Sequence, residues 1–147
     1  MLFRSHQALA AASDDEKSAM FELVIKDYPD TGYASLAHLY MAKLGDTEAH
    51  LKALIHGAGS TVELAWQARL DLAEWYLRAG KIDEAKAQLA ESVGGQYEQL
   101  RHYLMAEAAS DTAEKVVHLK KALEAVSNDS ILKAKIENML AELDATS

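Results

Sequence analysis

The chain has 147 residues, half of them hydrophobic and 26% charged, with one proline, seven glycines and no cysteine. That length suits one domain with a sizeable core, the scarcity of breakers favours helix nearly throughout, and the missing cysteine excludes disulfides, thiolate chemistry and Cys-based zinc sites. The net charge of −8, split as −4 over residues 1–73 and −4 over residues 74–147, disfavours DNA or an anionic membrane surface, which need a basic field, and no apolar run is long enough to span a bilayer.

Nine helices are predicted. The first is short and covers residues 2–11. Ser13-Asp14-Asp15-Glu16 reads as a capping box, in which the serine oxygen accepts an orphan backbone N–H and the glutamate reaches back. It opens a helix through Phe21, Val24 and Ile25 that ends before Pro29. Thr31 is the expected cap of a helix to residue 44. Gly45-Asp46-Thr47 breaks the chain, and a helix follows to residue 56. Gly57-Ala58-Gly59 is the loosest point. Ser60-Thr61-Val62-Glu63 reads as a second capping box and begins the longest helix, residues 61–79, which stops at Gly80. Helices over 82–92, 96–109, 112–126 and 131–143 follow. Their breaks are Gly94-Gly95, Ser110-Asp111 and Ser127-Asn128-Asp129-Ser130. Every connection is short, as antiparallel helix pairs require.

The long helix carries two adjacent apolar stripes. Ala65, Ala68, Leu72 and Trp75 form one, and Trp66, Leu70, Ala73 and Leu77 the other. One stripe serves a helix at the rim of a bundle; two predict contact with a hairpin partner and with a neighbouring repeat. The last helix has a single stripe of Ile131, Leu132, Ile136, Met139, Leu140 and Leu143, with Lys133, Lys135, Glu137 and Glu142 elsewhere. That is the pattern of a terminal cap with a polar outer face.

A phrase also recurs. Leu36-Ala37-His38-Leu39-Tyr40 returns as Leu72-Ala73-Glu74-Trp75-Tyr76 and more faintly as Met105-Ala106-Glu107-Ala108-Ala109. The small residues at 37, 73 and 106 keep the spacing of two-helix repeats. Across residues 71–92, Leu72, Ala73, Tyr76, Gly80, Ala85 and Leu89 fall where a tetratricopeptide repeat has its small, large and turn residues. Phe21 and Pro29 match the end of the preceding repeat. The resemblance implies an all-α fold, a right-handed superhelix of antiparallel helix pairs. It would be a single domain over residues 1–147, with hairpins 2–28, 31–57, 61–93 and 96–126 and a capping helix 130–144. Tyr40 and Tyr76 take the repeated inter-helix aromatic position, so both are expected in the core. Trp66, Trp75 and Tyr97 are read as packing residues.

From about residue 30 the order of segments is similar to the periplasmic domain of the YfgM family. The segments are Tyr33-Ala34-Ser35-Leu36-Ala37, Leu70-Asp71-Leu72-Ala73, Gly80-Lys81-Ile82-Asp83-Glu84-Ala85, Leu104-Met105-Ala106-Glu107-Ala108 and a final amphipathic helix. That resemblance implies partners at the Sec translocon and among periplasmic chaperones, and a periplasmic location. It also implies an inner-membrane anchor upstream, which this sequence does not contain. Without the resemblance a cytoplasmic location stands.

Of the residue types that carry chemistry, the six histidines are His6, His38, His50, His56, His102 and His118. None forms a His-x-x-x-His pair that would face one metal. Gly-rich phosphate loops and a Gly-x-Ser-x-Gly elbow are absent. The sequence therefore predicts no catalytic, cofactor or metal residues, and a non-catalytic protein-interaction module. A histidine beside a carboxylate in a pocket at His102 or His118 would instead favour an enzyme or small-ligand sensor. By the tetratricopeptide resemblance, the first helix of each hairpin lines a concave groove. This places His38 and Met41, then Leu70, Glu74, Leu77 and Arg78, then Tyr103 and Glu107 before a protein or peptide partner. The competing binding-protein reading is an oligomerisation scaffold of an envelope assembly.

Overall fold

A computed structural model describes residues 13–57, 60–125 and 127–146. Among these residues all regular structure is helical, with no strand. The helices are α1 (Asp14–Asp27), α2 (Gly32–Leu44), α3 (Thr47–His56), α4 (Val62–Arg78), α5 (Ile82–Leu89), α6 (Tyr97–Ala108), α7 (Thr112–Glu124) and α8 (Ser130–Thr146). These are eight helices where about nine are predicted; the remaining one, over residues 2–11, lies outside the described residues. The chain divides into two compact units, Met1–Ala68 and Arg69–Ser147, where the sequence predicts one domain. The division falls inside α4.

Local chemistry accounts for most of the helix ends. Ser13 Oγ accepts the Glu16 N–H at 3.3 Å, and three acidic residues fill the first turn of α1, where they favour the helix dipole. Thr31 Oγ1 accepts the Ala34 N–H at 3.3 Å and donates to the Tyr28 carbonyl at 2.7 Å. The second capping box is corrected by one residue. The Leu64 N–H donates to Thr61 Oγ1 at 3.1 Å, while Ser60 Oγ lies 3.2 Å from Ser35 Oγ. With Thr61 as the cap, the reciprocal position is Leu64, so Glu63 has no capping role. Asp111 and Asp129 cap α7 and α8, accepting the Glu114 and Leu132 N–H groups at 2.8 and 2.9 Å.

The end of α4 needs a left-handed residue. Gly80 supplies it with φ +77°. The Lys81 N–H donates to the Tyr76 carbonyl at 2.8 Å and the Gly80 N–H to the Leu77 carbonyl at 3.2 Å. This pair of bonds satisfies carbonyls that would otherwise be orphaned at the helix terminus.

In the first unit α1 packs on α2 and α2 on α3. Phe21, Ala37 and Met41 form a buried cluster with Val24 and Ile25 against it, and Leu51 and Leu54 are buried on α3. In the second unit α5 packs on α6, α6 on α7 and α7 on α8. Leu70, Leu72, Leu89, Leu104, Leu119 and Ile136 are its fully buried large side chains, with Ala73, Ala85, Ala106 and Ala122 between them. The alanines let backbones approach, and the large residues fill what remains.

Two core expectations are corrected. Tyr76 is buried, but Tyr40 keeps more than a third of its surface. It leans on Phe21 with ring centroids 5.4 Å apart and nearly parallel planes, so it packs at the edge of the core and not within it. Ile131 stands in solvent because it occupies the first turn of α8, ahead of the stripe that Ile136 anchors. Trp66, Trp75 and Tyr97 are half-buried.

Candidate partner-binding groove

Five of the eight residues expected before a partner come together in the second unit. Glu74, Leu77 and Arg78 from the last turns of α4, and Tyr103 and Glu107 from α6, line one cavity of about 450 Å³. Leu100 and Leu104 of α6 and Leu132 and Lys135 of α8 complete its wall. A second depression of about 460 Å³ lies alongside, lined by Gln96, Tyr97, Leu100, Ser127, Asn128, Asp129 and Leu132. Leu100 and Leu132 belong to both. The two depressions therefore form one groove crossed by a leucine ridge, with charged residues on the rim.

The spacing along α6 explains the floor. Leu100, Tyr103, Leu104 and Glu107 stand at i, i+3, i+4 and i+7, one face of a helix. Leu132 and Lys135 stand three apart on α8, so they share a face too. These last two are not among the residues that the sequence places before a partner, where α8 reads as a terminal cap. Their signal in the sequence is a leucine and a lysine one turn apart next to the capped start at Asp129.

Charge on the rim is held by specific contacts. Arg78 and Glu74, one turn apart on α4, make an ion pair. It is solvent-facing and contributes little to stability. The Lys135 ammonium sits 5.1 Å from the centre of the Tyr103 ring. Contact with the Tyr103 hydroxyl, aided by the carboxylates of Glu107 and Glu74, pushes the Lys135 ammonium above its usual value. Burial, then the neighbouring Glu107 carboxylate, pushes the Tyr103 phenol up. Lys135 is thus a fixed cation and Tyr103 a neutral hydroxyl at physiological pH.

A polar clamp holds α6 in place. Arg101 is only 8% exposed. Its guanidinium grips Glu98 with Nε–Oε1 and Nη2–Oε2 distances of 3.0 and 2.9 Å, and Nη1 donates to the Leu89 carbonyl at 2.8 Å. Glu98 Oε1 also accepts the Val93 N–H at 2.6 Å. Burial alone would raise the Glu98 carboxyl, but the Arg101 hydrogen bonds, the Val93 N–H and the Arg101 charge hold it below its usual range. The end of α5 and the loop after it are thereby tied to the first turn of α6.

Three of the expected residues lie elsewhere. Leu70 is 1% exposed, two turns before Arg78, and offers no surface. Met41 is buried in the Phe21 cluster. His38 is half-buried in the first unit, with its Nδ1 2.9 Å from His50 Nδ1. Their ring centroids are 5.2 Å apart, the spacing of two nitrogens pointed at each other, so one donates and the other accepts. Burial and then the His50 charge lower the His38 pKa.

His102 and His118 each stand beside a carboxylate. His102 Nε2 is 3.4 Å from Glu98 and His118 Nε2 is 3.8 Å from Glu114. Both pairs are one turn apart on a single helix, and neither histidine lines the groove. Both oxygens of Glu98 are taken by Arg101, which makes it a structural anion. Among the described residues no group of three or more His, Cys, Asp or Glu could hold a metal ion, and no helix is long and apolar enough to cross a membrane. In comparisons with protein-family models, with curated proteins and with solved structures, nothing matches the chain.

Proposed function

We propose that the protein is a non-catalytic interaction module that seats a segment of another protein in the groove between α4, α6 and α8. The observation that carries this reading is the pair of adjoining depressions meeting at Leu100 and Leu132. An apolar floor gives a partner's side chains somewhere to bury, and rim charges of both signs fix its direction. Arg78 and Lys135 face acidic groups of the segment; Glu74, Glu107 and Asp129 face basic ones. The repeat-like sequence and short connections support a tetratricopeptide-like superhelix as the scaffold. The order of segments shared with the YfgM family supports partners at the Sec translocon and periplasmic chaperones, in the bacterial periplasm.

The test is substitution of the ridge. Leu100 and Leu132 are half-buried, so Leu100→Asp and Leu132→Asp leave the fully buried core intact. We expect each to reduce recovery of envelope partners in a pull-down by about tenfold or more, as loss of a central anchor does. Equal recovery by a variant with an unchanged circular dichroism spectrum overturns the groove assignment.

A further inference from the structure

The first unit carries a different surface. Helix α2 has one charged residue, Lys43, among its 13 positions. Tyr33, Leu36, Tyr40 and Leu44 are 45%, 49%, 37% and 39% exposed. At 100° per residue they fall within an arc of about 80°. The adjoining arc, from Ala37 beside Leu44 round to the far side, buries Ala34, Ser35, Ala37, Met41 and Ala42. This inverts the usual surface helix, which keeps its large apolar side chains inward. At about 200 Å² per large side chain, these exposures leave about 340 Å² of largely apolar surface along the arc. That is in the range of the largest apolar patch on a typical monomer, about 300–600 Å², and such patches are often functional.

We propose that this face of α2 is a self-association surface, occupied by α2 of a second copy of the chain packed antiparallel about a two-fold axis between Leu36 and Tyr40. A two-fold interface sets a patch against itself, so it tolerates no unpaired like charge at its centre. The arc of α2 meets that condition in a chain whose net charge is −8, because its four residues are two tyrosines and two leucines, with no acidic or basic side chain among them. The charge at its edge is also complementary. Lys43 lies beside the arc, 5.8 Å from the Tyr40 ring centre. In an antiparallel pair Lys43 falls level with Tyr33 of the second copy, within reach of Asp30, and the symmetry makes this contact twice. A parallel pair would set Lys43 against Lys43. Antiparallel helix dipoles add to the preference. An apolar centre of about 340 Å² per copy fits inside the roughly 800 Å² per side of a standard interface. The association is therefore reversible, and it does not rest on the groove reading.

Sedimentation equilibrium of the full chain, from low to several hundred micromolar, tests this. We expect a concentration-dependent monomer–dimer equilibrium. Leu36→Glu should weaken it on the order of 100-fold, since a symmetric interface loses the side chain twice. Lys43→Glu should weaken it less, and Lys43→Glu combined with Asp30→Lys should restore it. The charge-swap pair carries the test on its own if Leu36→Glu fails to fold. A monomer throughout the range, wild-type association by folded Leu36→Glu, or a double charge swap as weak as the single overturns the proposal. The groove variant Leu132→Asp should dimerise as the wild type does, so failure of one reading leaves the other intact.

Discussion

Replacing Arg101 by methionine takes away a buried cation and leaves its partners in place. The Glu98 carboxylate then keeps the Val93 N–H at 2.6 Å but loses both guanidinium contacts, and the Leu89 carbonyl loses its 2.8 Å donor. Breaking a buried pair in this way costs about 3–5 kcal/mol. The Glu98 side chain retains 23% exposure, so water recovers part of that, and we expect a loss of about 2–3 kcal/mol. For a chain of this size that lowers the melting temperature by about 6–12 °C. Urea unfolding at neutral pH, followed by far-UV circular dichroism, reads it. Adding Glu98→Gln should return part of the loss, because the amide oxygen still accepts the Val93 N–H without a stranded charge. The pH dependence has a definite sign. A carboxyl held low in the folded state contributes stability above its ordinary value of 4.5 that is lost as pH falls through the folded value. The gap between wild type and Arg101→Met should therefore narrow in acid. A loss under about 1 kcal/mol, or a gap that widens on acidification, refutes the clamp.

The histidines give the second pH prediction. His38, His102 and His118 are all held below 6.5, in each case first by burial, so the unfolded chain binds their protons more readily and stability is lost as pH falls below that value; melting temperatures from pH 7.5 to 5 should fall, less steeply in His102→Gln, and a rise over that window contradicts the assignment. Gly80→Ala should cost about 1–2 kcal/mol, since an added Cβ meets nothing within 4 Å and the penalty lies wholly in a φ of +77°; a urea midpoint equal to wild type contradicts the left-handed turn.

What the sequence made legible was local. Ser13 and Thr31 are readable as caps because the bonded groups lie three residues away, and Gly80 because a left-handed turn favours one residue type. Ser60 and Thr61 offer two hydroxyls in succession, and the choice between them depends on Ser35, distant along the chain. The groove was legible in part for the same reason. Glu74, Leu77 and Arg78 share a face of α4 by spacing alone, as do Tyr103 and Glu107 on α6. Leu70 shares the α4 face too, but depth along a helix is set by what packs there, which spacing does not encode. Leu132 and Lys135 enter only because α8 lies against the same cavity. Tyr40 holds the same place in the repeated phrase as Tyr76 yet is half-covered, because a recurring position records the backbone and not its neighbours. His38 and His50 do not read as a pair in the sequence because they meet across two helices and not along one.

The contact between His38 and His50 makes two like residues unlike. With both nitrogens aimed at one hydrogen, one ring carries it on Nδ1, and the other, when neutral, must carry its own on Nε2. The two imidazoles are therefore opposite tautomers, and neither can switch alone without leaving a lone pair against a lone pair or a hydrogen against a hydrogen. A second proton on the facing nitrogens has no room at 2.9 Å. The α2–α3 hairpin thus contains a contact that admits one proton and not two, and the packing of these two helices registers that count.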